Sequence, residues 1–165
     1  MTRTLILMRH AKSSWDDPAL ADHDRPLTGR GKRAAKALGD WMRAQDWMPD
    51  QALVSDAVRT RDTFQRLALP VEAEFTGSLY HANPADMQLV LEMAQGKTVL
   101  MIGHNPGISE FAEAMAQTPP THPKFRDFPT GATLVLRFDI EDWDKIDTRM
   151  GKVLDFITPR ELTDG

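Results

Sequence analysis

The stretch LILMRHAKSSW, Leu5 to Trp15, runs four large apolar residues straight into an arginine and a histidine. The same punctuation recurs further along. Gln51 to Val54 meets Ser55, with Arg59 one helical turn on, and TVLMIG, Thr98 to Gly103, empties into His104, Asn105 and Pro106. Arg9, His10, Arg59 and His104 thus stand at or just beyond the ends of apolar runs. Such a set suits a phosphoryl group. Guanidinium forks donate paired hydrogen bonds to phosphate oxygens and stay positive at any relevant pH. They can hold a dianion and offset charge as it spreads in a transition state. A neutral imidazole has a lone pair that can attack phosphorus, splitting one hard displacement into two easier ones. Nearby arginines favour the unprotonated form of His10. A second, charged histidine could then donate to the phosphoryl oxygens, and the small Ala11 is expected to let backbone N–H groups approach the anion.

For these residues to meet, the chain must bring distant segments together. Thr4 to Met8 reads as a strand covered on both faces. Thr28 is placed to cap a helix whose inward face would carry Ala34, Ala35, Leu38, Trp41, Met42 and Gln45. Gln51 to Val54 predicts a second strand, and the helix after it would bury Val58, Phe64, Leu67 and Ala68. A third strand is expected over Val71 to Phe75. The next helix is signed by Asn83 as cap, Pro84 in its first turn and Gly96 after its last apolar residue. Thr98 to Gly103 is the fourth strand, followed by a helix carrying Ile108, Phe111, Ala112 and Met115. The segment from Pro119 to Pro129 is proline-rich and irregular. ATLVLRF and KVLDFI then read as closing strands, antiparallel or at an edge. Alternating strands and helices predict a layered α/β fold, in which ligands sit outside the carboxyl ends of the strands.

Composition narrows the field. The 165 residues suggest one domain spanning 1–165, and a hydrophobic fraction of 41% with 27% charged residues is ordinary for a globular chain. No apolar run approaches the roughly 18 residues of a membrane span, and the N-terminus lacks the form of a secretory signal. A cytoplasmic protein is the expectation. With no cysteine there is no thiolate nucleophile and no sulfur-ligated zinc. A net charge of −4 argues against a nucleic-acid binder. No P-loop and no carboxylate cluster suggests a metal or cofactor.

Four motifs in order, from Arg9 to Gly107, resemble the histidine phosphatase superfamily, also called phosphoglycerate mutase-like. RHAKSSW resembles its RHG signature, with Ala11 where glycine is usual. DRPLTGRG, Asp24 to Gly31, resembles the element opening the first helix. SDAVRTRDT, Ser55 to Thr63, fits the pattern of a serine, an arginine four later and a threonine four after that. MIGHNPG supplies the late histidine. The resemblance implies a three-layer α/β/α sandwich with a mainly parallel sheet. It implies His10 as the nucleophile that accepts the phosphoryl group, Arg9 and Arg59 as phosphate ligands, His104 completing the pocket, and Ser13 as a lesser phosphate contact. No cofactor or metal is implied.

Lys12 and Asp16 depart from the family pattern, and a carboxylate at 16 would repel phosphate. Larger members insert a lid and carry an acid after the third strand, which protonates an alkoxide leaving group. Here that region reads EFTGSLYHANPAD, with Thr76, Gly77 and Ser78 at the strand end. An alkoxide needs that proton, whereas a phosphohistidine can leave as neutral imidazole. The compact length, the RPLT and LYHA wording and the missing acid resemble the short SixA-type branch, the phosphohistidine phosphatases. The implied partner is a phosphorylated protein. The alternatives are a broad phosphomonoesterase for small phosphorylated molecules and a non-catalytic phosphate-binding module. Asp16 and Asp17 are the candidates for a substitute proton donor. Arg25 either pairs with Asp22 or Asp24 or reaches the pocket, and Tyr80 and His81 either line its mouth or pack. His23, His81 and His122 read as surface or loop histidines, and GRGK, Gly29 to Lys32, as the turn that starts a helix.

Overall fold

The computed structural model describes residues 1–163 of the chain. β1 (Arg3–Arg9) buries Leu5, Ile6, Leu7 and Met8 completely. α1 (Gly29–Ala44) starts at Thr28, whose hydroxyl accepts the Gly31 N–H at 2.9 Å, one of the amides that a helix start leaves without a partner. The alternation continues with β2 (Gln51–Ser55), α2 (Val58–Leu67), β3 (Ala73–Thr76), α3 (Pro84–Glu92), β4 (Thr98–Gly103) and α4 (Gly107–Met115). Asn83 and Asp86 close a reciprocal capping box at the start of α3, with Pro84 in its first turn. β5 (Thr133–Phe138), β6 (Lys152–Ile157) and α5 (Pro159–Thr163) follow.

The strands form one sheet in the order β3-β2-β4-β1-β5-β6. β3, β2, β4 and β1 run parallel, while β5 and β6 are antiparallel additions on the β1 side. Side chains alternate across β1, so Leu5 and Leu7 enter one core and Ile6 and Met8 the other. The first core holds Met87 and Leu91 of α3 with Ile108 and Phe111 of α4. The second holds Leu38 and Met42 of α1 with Leu67 of α2, and Leu162 of α5 packs against it. The result is the expected three-layer α/β/α arrangement. Between β3 and α3 lies only residues 77–83, one 3-10 turn and a short loop, with no lid inserted.

Three local expectations fail. Gln45 is exposed at the C-terminal cap of α1 and does not face the core. The third strand begins at Ala73, two residues later than expected, and Phe75 stays 43% exposed at the sheet edge. The buried face of α2 carries Arg59, Thr60, Thr63 and Leu67; Val58 and Phe64 are half-buried, and Ala68 is an exposed left-handed cap with φ 54°. Apolar periodicity misreads α2 because its buried threonines are satisfied by backbone carbonyls three to five residues back. Thr60 Oγ1 donates to the carbonyls of Ser55 and Ala57 at 2.7 and 2.8 Å, and Thr63 Oγ1 to that of Arg59 at 2.7 Å.

Close backbone approach fixes the segment after β1 against α1. A Cβ on Gly31 would lie 2.1 Å from the Lys12 carbonyl oxygen, which also accepts the Thr28 N–H at 2.9 Å. Ala11, fully buried, packs beside Leu27 and Ala35 in this seam. Gly31→Ala would gain up to about 1 kcal/mol in helix propensity, but the backbone clash should outweigh it, for a net loss of about 1–3 kcal/mol. A urea midpoint equal to that of the wild-type protein would contradict this packing.

Candidate active site

The pairing register sets the site. Arg9 of β1 is opposite Gly103 of the parallel β4, so His10 and His104 each emerge one residue beyond the last matched pair. Parallel strands lie about 4.8 Å apart, and the two imidazole centroids are 5.3 Å apart. The His10 N–H donates to the Gly103 carbonyl at 3.1 Å, extending the ladder by one rung. On the other side of β4, β2 ends at Ser55, whose Oγ is 2.7 Å from His104 Nε2. Arg59, on the first turn of α2, points its guanidinium back over the same strand ends. His10, Arg9, Ser13, Arg59 and His104, the five residues read from the sequence, line one cleft of about 360 Å3 together with Arg25.

Hydrogen bonds decide which nitrogen of each imidazole is free. His10 Nδ1 lies 2.7 Å from the Ala11 carbonyl oxygen and must donate to it. That leaves the lone pair on Nε2. The Ala11 amide itself donates to Thr63 Oγ1 at 3.0 Å, so it is not available to an anion; the small side chain at 11 serves the seam under α1 instead. Ser55 Oγ accepts a long bond, 3.4 Å, from the Ala57 amide, and its own proton has His104 Nε2 as acceptor. The His104 proton then resides on Nδ1, where it can be donated.

Burial, and then the charges of Arg9, Arg59 and Arg25, push the His10 pKa down to about 3. Burial, then His10 and Arg59, do the same to His104, also to about 3. Both rings are therefore neutral near pH 7, and His104 is not the charged donor expected from the sequence. It can still donate as a neutral N–H. Burial and the facing Arg59 also lower the pKa of Arg9.

Three buried side-chain nitrogens have no hydrogen-bond partner among the described residues: Arg9 Nε, Arg59 Nε and His104 Nδ1. All three belong to this cleft. An unpaired buried donor costs about 1–3 kcal/mol, so three at one spot describe a site built for an acceptor that supplies several oxygens. The arginines are otherwise held in place. Arg9 Nη1 donates to the Phe128 carbonyl at 3.2 Å, and Asn105 Nδ2 donates to that same carbonyl at 3.1 Å. This gives the proline-rich segment before β5 its role as a wall.

Asp22, read from the sequence only as a candidate partner of Arg25, is the organiser of the other wall. Its backbone carbonyl and carboxylate accept from Arg59 at 2.7 and 3.0 Å, and its Oδ1 accepts from Arg25 Nε at 3.2 Å. Tyr80 donates its hydroxyl to Asp22 Oδ2 at 2.5 Å. The Tyr80 bond and Arg59 hold this carboxyl well below the usual carboxylate range, so it carries no proton to give near pH 7. Arg25 does both things left open by the sequence. It pairs with Asp22, and it donates to Ser13 Oγ at 3.0 Å inside the cleft, with Trp15 stacked 3.5 Å above it. Tyr80 sets its ring against His104 edge-on at 5.4 Å and lies tilted against His81 at 3.9 Å, and both line the adjoining pocket that shares Arg59 and His104 with the cleft. Asp16 and Asp17 are exposed and line no part of the cleft. His23 bonds Asp56 at 2.9 Å and His122 bonds Glu161 at 3.0 Å, away from the cleft lining. Glu110 is a second exposed carboxylate on the Tyr80 side, beside Asp22. GRGK forms the first turn of α1, as expected.

Residues 5–79 match the histidine phosphatase superfamily (branch 1). An uncharacterised protein of Mycobacterium tuberculosis is 33% identical over 160 residues, which is 93% of this chain and 100% of that protein. A chloroplastic uncharacterised protein of Arabidopsis thaliana is 35% identical over 131 residues, and the match spans 60% of its length. Phosphohistidine phosphatase SixA of Escherichia coli is 29% identical over 128 residues, 70% of this chain and 77% of that one. Among solved structures, a candidate phosphohistidine phosphatase SixA from Nakamurella multipartitia superposes with a TM-score of 0.85 at 29% identity, covering 96% of this chain and 97% of that one. Among the described residues no helix is long and apolar enough to cross a membrane.

The depressed histidine pKa values make two expectations. Nitrogen-detected NMR of the imidazoles should show His10 as the neutral Nδ1–H form from pH 5 to 8; a titration midpoint near the ordinary 6.5 would contradict the geometry. In the unfolded chain both rings protonate below about 6.5, which the native site resists until about 3, so stability is full above that window and falls as pH drops through it. His10→Gln should make the decline of the urea midpoint between pH 6.5 and 4 shallower by about one proton's slope.

Proposed function

The chain belongs to the histidine phosphatase superfamily, and from that membership we propose that it is a metal-independent phosphatase working through a phosphohistidine on His10, with protein phosphohistidine as its substrate. The convergence of three unpaired buried donors beside a neutral imidazole carries the reading. Five residues take named roles in it. His10 Nε2 attacks phosphorus as the bond from phosphorus to the leaving nitrogen breaks. Arg9, Arg59 and the His104 Nδ1–H stabilise the transferring group, with Ser13 a lesser contact through Arg25. Water then attacks the phosphoryl group on His10; its proton leaves with the released phosphate and His10 recovers its lone pair. The arginines offset the charge of the group in transfer, so the scheme calls on no metal.

The leaving group follows from what the pocket lacks. In phosphohistidine the bond broken and the bond formed are both phosphorus–nitrogen, so the transfer is close to balanced and the departing imidazole needs no acid. An alkoxide would need one. Asp22, the carboxylate nearest the arginines, is held ionised by Arg59, Arg25 and Tyr80 and has no proton to supply. The likeness to phosphohistidine phosphatase SixA supports the same substrate class.

The test compares turnover of a phosphohistidine peptide and a phosphoserine peptide. The wild-type protein should hydrolyse the first faster, and label from it should be trapped on His10 in an acid-labile form. His10→Ala should abolish turnover, whereas Arg59→Ala should lower kcat by roughly 10²–10³-fold. Retained activity in His10→Ala would sink the mechanism. Faster turnover of phosphoserine, lost in Glu110→Gln, would point to a small-molecule phosphomonoesterase instead.

A further inference from the structure

A second cleft, of about 500 Å3, lies beside the phosphate cleft. The two are continuous, since Lys12 and Thr130 line both. Five exposed cations from separate stretches of chain face it: Lys12 after β1, Arg30 and Arg33 from the start of α1, Lys124 from the segment before β5, and Arg160 from α5. Among the described residues no carboxylate lines it. Glu161 is nearby but is engaged by the Thr158 amide and hydroxyl at 2.8 and 2.9 Å and by His122 at 3.0 Å.

The charge distribution is unusual for this molecule. The net charge is −4, and elsewhere on the surface Lys36 and Arg43 pair with Asp40, and Arg126 with Glu113. Lys12, Arg33, Lys124 and Arg160 make no ion pair with a described residue. Bringing like charges together without internal counterions costs free energy, and an acidic chain keeps such a patch at one place, adjoining its reactive cleft. Compact anions are held by converging buried donors, as in the cleft around His10. Here the donors are long, exposed and spread along the walls, which matches several carboxylates spaced along a polypeptide.

We propose that this cleft docks an acidic stretch of the phosphorylated protein, alongside the phosphohistidine presented to His10. The inference rests on the phosphohistidine phosphatase reading. Docking of this kind acts mainly on encounter and KM, weakens with salt, and leaves the chemical step alone.

The experiment uses two phosphohistidine peptides that differ only in carrying glutamates or serines beside the phosphorylated residue, with phosphoramidate as a small control. The wild-type protein should favour the glutamate peptide by about tenfold in kcat/KM at low ionic strength and lose the preference near roughly 0.5 M salt. The triple variant Arg33→Ala, Lys124→Ala, Arg160→Ala should treat both peptides alike while hydrolysing phosphoramidate at the wild-type rate. Equal wild-type rates for the two peptides, or a preference that survives in the triple variant, would overturn the proposal. Fluorescence anisotropy with the same peptides lacking phosphate reads docking without catalysis, so a failed hydrolysis would count against the catalytic reading and not against the cleft. Tighter binding of an oligonucleotide of equal charge than of the glutamate peptide would overturn docking of a protein in favour of nucleic acid.

Discussion

Parallel pairing of β1 with β4 is the constraint on which the site depends. A slip of one residue would send His10 to the opposite face of the sheet from where it now stands, and the pair of imidazoles would be lost. Neither strand can specify its own register by alternation, because Leu5 to Met8 and Val99 to Ile102 are apolar on both faces. The register is pinned at the far end instead. The Asp50 carboxylate accepts the Lys97 and Thr98 amides at 3.1 and 3.0 Å, while Gln51 Oε1 accepts those of Gln95 and Gly96, both at 2.8 Å. These polar clamps tie the start of β4 to the start of β2. The Thr4 amide adds the β1 side by donating to the Lys97 carbonyl at 2.8 Å. Alignment at one edge of the sheet thus becomes side-chain geometry at the other.

Around that geometry the chain gathers charge that its own core would not tolerate alone. Arg25 and Arg59 are each only 6% exposed. Desolvated guanidiniums need counterions and acceptors, and Asp22 supplies both for the pair, with Tyr80 fixing its carboxylate. Arg9 receives only a backbone carbonyl, and the Nε atoms of Arg9 and Arg59 receive nothing. Donors left unmatched by the fold are expected where the partner is a substrate and not a residue. Two apolar cores, one on each face of the sheet, supply the stability that allows such a place to persist.

Strand ends and helix starts were legible in the sequence because their signals are local. Thr28 and Asn83 cap helices through bonds to residues within a turn, Pro84 fits the first turn of α3 because it has no amide N–H to leave unpaired, and apolar runs mark buried strands wherever they pair. Arg9, His10 and His104 were legible for the same reason, since they follow those runs directly, and Arg59 was legible from its spacing one helical turn beyond Ser55. The bonds of Asp22 to Arg59 and Tyr80 were not, and Arg25 could be read only as two alternatives, both of which it meets. Asp22 and Arg25 sit in a stretch of 3-10 turn and loop with no periodicity, and their importance arises only when α2 brings Arg59 against them. The face of α2 was misread because threonines that bond backbone carbonyls just upstream can be buried without being apolar. Ala11 is ambiguous for a complementary reason, since a small residue beside a reactive group serves equally to admit a ligand or to admit a helix, and only the bond from its amide to Thr63 and its packing with Leu27 and Ala35 show the second. The protonation of His104 depends on burial, which spacing does not report.

The carboxylate of Asp22 inside a cationic pocket has a physical logic. Three guanidiniums converging on a dianion would hold substrate, transferring group and released phosphate alike, and uniform binding of that kind lowers KM without raising kcat. Asp22 keeps Arg59 and Arg25 partly neutralised and fixed in direction before any anion arrives, so an entering phosphate must share these cations with it. On the proposed mechanism this arrangement lowers ground-state and product affinity. The donors that Asp22 does not touch, Arg9 Nε, Arg59 Nε and His104 Nδ1, stay fully available to oxygens whose charge and position change during transfer. The division of Arg9 and Arg59, with η nitrogens bonded to a carbonyl or to Asp22 and Nε left open, separates orientation from transition-state binding.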